Sequence, residues 1–96
     1  MGTFTVVVQM GDLEDRDFIE VEALVDTGAT YTSVPEDILD RLGIVKRETR
    51  TFELADDRVI EYPVGYASVR LEQREIIVLV VFAPEGTTPL LGATTL

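Results

Sequence analysis

Apolar and polar positions alternate along most of this chain with a period of two, which is typical of β-strands that bury one face. The pattern predicts strands over residues 4–10, 18–25, 31–34, 51–55, 58–62, 66–71 and 75–82. The last of these is apolar on both faces, so we expect it at the centre of a sheet. Pro63 follows the segment 58–62 and therefore predicts that this strand lies at a sheet edge or ends there.

One segment has the features of a helix instead. Ser33 and Glu36 have the spacing of a capping box, Pro35 is tolerated in a first helical turn, and Gly43 is a stop signal. The apolar stripe between them consists of Ile38, Leu39 and Leu42. The chain is therefore expected to be mainly β, a small closed barrel or sandwich with one short helix.

The composition limits the possible chemistry. A length of 96 residues with 46% hydrophobic content predicts one domain, residues 1–96, with one modest core. The chain has no cysteine and no histidine. This excludes disulfides, thiolate metal sites, and Ser-His or Cys-His nucleophile pairs. We expect neither a metal nor a cofactor, and any acid–base catalysis has to come from carboxylates, Tyr, Lys or Arg.

The net charge is −10, from 18 acidic and 8 basic residues. This argues against nucleic acid and against an anionic membrane as partners, because phosphate neutralisation needs clustered Lys and Arg. The start of the chain has no signal-peptide pattern, and the longest apolar run, residues 76–83, is too short to span a bilayer. We therefore expect a soluble, cytoplasmic protein.

Asp26 is the clearest candidate for a chemically active residue. It ends the apolar strand 18–25 and is followed directly by Thr27 and Gly28. Asp is depleted in strands and favoured in turns, and glycine permits a close backbone approach. Taken alone, the pattern also fits an ordinary turn at a strand end. Asp56 and Asp57, at the predicted tip of the hairpin 51–62, fit a solvated turn better than a metal site.

Several motifs together resemble one known family. Asp26-Thr27-Gly28-Ala29, a helix that begins near a proline, a hairpin, and then Leu90-Leu91-Gly92 follow one another along the chain. This order resembles the retropepsin-like aspartic proteases over nearly the whole sequence, and in particular small single-domain members of bacterial or archaeal type. The resemblance implies a β-barrel of the acid-protease type.

The resemblance also implies a function. It implies an aspartic endopeptidase that acts as a homodimer on peptide or protein substrates, with one catalytic Asp26 per subunit. The two carboxylates would share a proton and act as general base and general acid. Thr27 would form a hydrogen bond across the dimer, and Gly28 and Ala29 would complete the active-site loop. Behind this loop would pack Leu90, Leu91 and Gly92.

The resemblance assigns the hairpin to a flap that closes over the substrate. Two features of the sequence depart from the family pattern. The expected tip is not rich in glycine but consists of Ala55, Asp56, Asp57 and Arg58. In addition, the sequence ends at Leu96, near the point where family members continue into a helix and a terminal strand that helps to form the dimer. We therefore expect either a longer native chain or a different interface.

Two other functions fit parts of the sequence. The segment 26–30 also fits the phosphate loop D-x-G-x-T of actin-like and sugar-kinase ATPases, but those proteins need two α/β domains, which 96 residues cannot supply. The second is a dimerisation or peptide-binding module with weak or absent cleavage, since a fold does not establish activity. The intact Asp26, Thr27 and Gly28 favour catalysis, whereas the atypical hairpin tip favours binding.

Overall fold

The computed structural model of the protein describes residues 3–14, 17–26, 28–29, 31–53 and 57–92. Within these ranges the chain forms seven β-strands and one short helix, which confirms the predicted mainly β class. In chain order the elements are β1 (Thr3–Gly11), β2 (Phe18–Asp26), β3 (Thr32–Pro35), α1 (Glu36–Arg41), β4 (Glu48–Glu53), β5 (Val59–Leu71), β6 (Arg74–Ala83) and β7 (Leu90–Leu91).

The strands pair into one sheet in the order β1-β2-β7-β3-β6-β5-β4. Residues 9–11 of β1 also pair with residues 68–70 of β5, so the sheet turns back on itself. Most neighbours are antiparallel, but β7 runs parallel to β2, and β3 runs parallel to β6. The apolar strand β6 lies between β3 and β5, in the central position that its sequence predicts.

The core lies on one face of this curved sheet. Alternation places Val21, Ala23 and Val25 of β2 inside, each less than 5% exposed, while Glu20 and Glu22 face solvent. Leu39 is the buried residue of α1 and closes the core from its side. The largest fully buried side chains are Phe82, Met10, Leu39 and Leu91.

Pro63 does not end a strand. The segments 58–62 and 66–71, predicted as two strands, belong to the single strand β5. Pro63 lies opposite Thr49 of β4, whereas the pairing of β5 with β6 begins only at Val64. The ladder to β6 therefore loses no hydrogen bond from the missing N–H of Pro63.

The helix begins differently from the prediction. Pro35 is its N-cap and no side chain caps the first turn, so the predicted capping box is wrong: Ser33 is engaged in β3. The predicted stop at Gly43 is confirmed. Gly43 adopts φ 76°, and its N–H and that of Ile44 bind carbonyl groups of the last turn at 3.0 Å. No helix in the described ranges is long and apolar enough to cross a membrane.

The two leucines of β7 provide a matched test of this architecture. Leu91 is fully buried in the core, whereas Leu90 is half-buried on the opposite face. We expect Leu91→Ala to lower the free energy of unfolding by about 2–5 kcal/mol. Leu90→Ala should cost only about 1–2 kcal/mol, because the half-buried Leu90 side chain buries less apolar surface on folding than Leu91 does. Chemical denaturation of both variants measures the difference, and equal losses would contradict the described burial.

Candidate active site around Asp26

Asp26 is the last residue of β2 and begins a tight turn. Its backbone carbonyl accepts a hydrogen bond from the Ala29 N–H at 3.1 Å. Its side-chain Oδ1 accepts a second one from the Gly28 N–H at 2.9 Å. A carboxylate that binds the N–H two residues ahead forms an Asx turn, which restrains both the backbone and the side chain. Because Asp26 is half-buried, its carboxylate is oriented but still reaches solvent.

The segment Leu90-Leu91-Gly92 lies directly beside the strand that carries Asp26. Leu90 pairs with Leu24 and Leu91 with Val25, and the Leu24 N–H donates to the Pro89 carbonyl at 2.9 Å. On its other side Leu90 pairs with Ser33 of β3. The structure thus brings together two groups of residues that the sequence analysis singled out far apart in the chain.

Gly92 packs against the chain that follows the Asp26 turn. Its N–H donates to the Oγ1 of Thr32 at 3.1 Å, and Thr32 is fully buried. A Cβ at position 92 would lie only 2.6 Å from the Tyr31 carbonyl oxygen and 2.9 Å from the Tyr31 nitrogen. Only glycine permits this approach. Thr32 is within the predicted strand 31–34, but no pattern in the sequence marks it as the acceptor for the Gly92 N–H.

A row of side chains extends from Asp26 across the face opposite the core. Asp26 and Leu24 point to this face because side chains alternate along β2 and Val25 points into the core. Leu24, Leu90 and Ser33 are half-buried here, so they form a mostly apolar floor beside the carboxylate. Each member of the row pairs with the next one on the neighbouring strand. From β2 to β5 the row consists of Leu24, Leu90, Ser33, Val81 and Val64.

The predicted hairpin is present, and it joins β4 to β5. Glu53 pairs with Val59, which is the pair nearest to the hairpin tip. Asp57 and Arg58 are exposed, and Asp57 adopts φ 68°, in the left-handed region that glycine favours. The expectations for Ala55 and Asp56, and that for Thr27 in the Asp26 turn, concern residues outside those described.

An aromatic contact connects this hairpin to the segment after the Asp26 turn. Residues 59–63 pair only with β4, so the hairpin extends as a two-stranded ribbon beyond the pairing of β5 with β6. The Phe52 ring of this ribbon nevertheless lies 5.1 Å from the Tyr31 ring, at an interplanar angle of 84°. Tyr62 lies on the other side, with its ring 6.3 Å from Phe52. The ribbon therefore bends back towards the segment that follows Asp26.

A concavity of about 390 Å³ lies elsewhere, between β1, β2 and the turn from β5 to β6. Two of its charged groups are engaged with neighbouring side chains: the Arg70 guanidinium lies 3.8 Å from the centre of the Phe18 ring, and its Nε donates to Glu75 at 3.1 Å. The described residues contain no group of three or more side chains suited to hold a metal ion. Among the described features, the Asp26 turn is therefore the best candidate for chemistry.

The hydrogen bond between Gly92 and Thr32 can be tested with two variants. Thr32→Val keeps the shape but leaves a buried N–H without its acceptor, so we expect unfolding to be easier by about 1–3 kcal/mol. The Gly92 amide should also exchange its hydrogen faster. Thr32→Ser loses a methyl group but keeps the acceptor, and should keep the Gly92 amide protected. Equal protection of this amide in both variants, measured by hydrogen exchange, would contradict the described bond.

Comparison with known proteins gives two results. A family model described as "gag-polyprotein putative aspartyl protease" matches residues 8–96. No curated protein matches the chain.

Two solved structures are similar over most of the chain. The solution structure of the simian foamy virus (mac) protease shares 20% identity with a TM-score of 0.69, covering 96% of this chain and 90% of that one. The EIAV protease complexed with the inhibitor HBY-793 shares 18% identity with a TM-score of 0.65, covering 97% and 84%. At these identities the likeness establishes the fold, and it confirms the predicted acid-protease type. Both proteins are viral, so the expected likeness to bacterial or archaeal members gains no support.

Proposed function

Because this chain belongs to the family of gag-polyprotein aspartyl proteases, we propose that it is an aspartic endopeptidase that acts as a homodimer. Each subunit contributes one Asp26 to a shared site. The observation that carries the proposal is the geometry of the turn. The Gly28 N–H orients the Asp26 carboxylate at 2.9 Å while the side chain remains half-exposed at the end of β2.

The need for a second subunit follows from the chemistry. Hydrolysis of a peptide bond by an activated water requires one group that removes a proton and another that donates one. The chain has no histidine and no cysteine, so a second carboxylate is the natural partner for Asp26. A two-fold axis beside the turn supplies it from an identical subunit. In this arrangement Thr27 forms a hydrogen bond across the axis, and each subunit contributes one half of the active site.

The two carboxylates then share one proton, because like charges at close range do not both ionise easily. The ionised Asp26 removes a proton from water, and the resulting hydroxide attacks the peptide carbonyl carbon. The protonated Asp26 of the other subunit donates its proton to the carbonyl oxygen. When the tetrahedral intermediate breaks its C–N bond, a proton passes to the leaving amine, and the pair returns to its singly protonated state.

The substrate is an extended peptide segment with apolar side chains near the cleaved bond. The half-buried Leu24 and Leu90 lie beside Asp26 and provide an apolar floor for such side chains. The hairpin acts as a flap that closes over the peptide and excludes water. At its tip we assign the contacts with the substrate to Ala55, Asp56, Asp57 and Arg58. The segment Leu90-Leu91-Gly92 serves as the scaffold of the catalytic turn.

One observation favours a second candidate, a peptide-binding or dimerisation module with little or no cleavage. The hairpin tip carries charged residues, and Asp57 is held at φ 68°. A non-glycine residue in this region costs about 1–3 kcal/mol. If this cost slows the closure of the flap, the protein binds peptides without cleaving them efficiently.

The decisive variant is Asp26→Asn. Asparagine keeps an oxygen that can accept the Gly28 N–H, but it cannot remove a proton from water. We expect the wild type to cleave members of a diverse peptide pool between acid and neutral pH. We expect Asp26→Asn to lose at least about 100-fold in kcat/KM while its melting temperature changes little.

The matched control is Asp40→Asn, which removes an exposed carboxylate from α1 and should retain full activity. Cleavage by Asp26→Asn at the wild-type rate would refute the assignment. A folded, dimeric wild type that binds peptides but cleaves none would establish the binding module instead.

A further inference from the structure

Tyr31 stands between the Asp26 turn and the β4–β5 ribbon, and its backbone is clamped. Gly92 packs against the Tyr31 nitrogen and carbonyl group so closely that no side chain fits between them. The next residue, Thr32, is fully buried and accepts the Gly92 N–H. Tyr31 as a whole residue, in contrast, is 37% exposed. Tyr31 therefore combines a closely packed backbone with a partly exposed side chain.

The ribbon itself has few other constraints. Its residues 59–63 have β4 as their sheet neighbour and lie beyond the pairing with β6. A two-stranded ribbon is marginally stable by itself. The ion pair between Arg50 and Glu48 is exposed and lies within β4, so it adds little and does not orient the ribbon.

Contacts between aromatic rings orient the ribbon where the sheet pairing does not. Phe52 meets Tyr31 nearly edge to face, at 5.1 Å and 84°. Phe52 also lies 6.3 Å from Tyr62 on the neighbouring strand of the ribbon. The three rings thus form a chain from the clamped backbone of Tyr31 to both strands of the ribbon.

We propose that Tyr31 is a positioning residue, whose ring holds the hairpin of its own subunit over Asp26 and so sets the fraction of hairpins that are closed before substrate arrives. This inference rests on the proposed function, since it assigns the hairpin to closure over a substrate. Tyr31 lies five positions after Asp26 and does not take part in the chemistry itself.

The effect of this contact on kinetics is specific. If the competent, closed state is populated only in part, the apparent affinity falls by that fraction. An edge-to-face pair of rings shifts such an equilibrium by about two- to ten-fold. Loss of the Tyr31 ring should therefore raise KM by about two- to ten-fold and leave kcat nearly unchanged. A variant that merely folds poorly would instead lower the apparent kcat at constant KM, because fewer molecules are active.

The experiment uses three single variants with a cleavable peptide found by the pool assay. Tyr31→Ala should raise KM as stated, and Tyr31→Phe should restore the wild-type KM because it retains the ring. Tyr66→Ala is the control: Tyr66 is 42% exposed on β5 and makes no ring contact among the described residues, so its KM should not change. An unchanged KM in Tyr31→Ala, or a failure of Tyr31→Phe to restore it, would overturn the proposal.

A double-mutant cycle then identifies the partner of Tyr31. Phe52→Ala should raise KM as Tyr31→Ala does, and the double variant should be no worse than the more impaired single one. If the two increases multiply, the residues act independently and the proposed contact is not the cause.

A measurement without substrate separates this inference from the proposed function. Hydrogen exchange of the backbone amides in residues 48–53 and 59–63 reports opening of the ribbon whether or not the protein cleaves peptides. We expect Tyr31→Ala to accelerate exchange there by about two- to ten-fold and to leave β6 unchanged. If the wild type is inactive but this acceleration occurs, the protease assignment fails and the positioning role stands. If the wild type is active and exchange is unchanged, the positioning role fails alone.

Discussion

The close packing of Gly92 on the backbone of Tyr31 is the constraint on which the arrangement of the site depends. The two residues of β7 are inserted between β2 and β3, and they pair with both. This insertion sets the distance between the strand that ends at Asp26 and the strand that begins after Tyr31. A side chain at position 92 would separate them, because it would meet the Tyr31 backbone at less than 3 Å.

This constraint has consequences on both faces of the sheet. On the core face, Leu91 is fully buried and anchors β7. On the other face, Leu90 continues the apolar row beside Asp26. The Tyr31 ring, next to the packed backbone, contacts Phe52 of the hairpin. The apolar floor beside the carboxylate and the position of the ribbon thus share one origin. This shared origin is why we treat residues 90–92 as the scaffold of the site rather than as a separate motif.

The sequence predicts the elements that depend on local pattern. Alternation identifies β2 because one face is buried, and Gly43 identifies the end of α1 because the last turn needs a residue with positive φ. Asp26 is recognisable because a carboxylate and a glycine directly follow an apolar strand. These signals lie within a few residues of one another, so a single sequence is sufficient to read them.

Features that depend on distant neighbours are not predictable in this way. Pro63 is compatible with a continuous β5 because the pairing of β5 with β6 stops at Val64, which the residues around Pro63 do not reveal. Ser33 has the right spacing for a cap, but pairing with Val81 and Leu90 engages it in the sheet. The contact between Phe52 and Tyr31 depends on how far the ribbon bends, which no periodicity encodes.

The most direct test of the account is a subunit-mixing experiment, because its central claim is that two Asp26 carboxylates form one site. Wild-type protein is mixed with increasing amounts of Asp26→Asn at constant total concentration, and cleavage is measured after the subunits have exchanged. If each site needs both carboxylates, activity falls as the square of the wild-type fraction, and an equal mixture retains about one quarter. Activity that falls in direct proportion to the wild-type fraction, with one half remaining, would show that a single subunit is sufficient and would contradict the account.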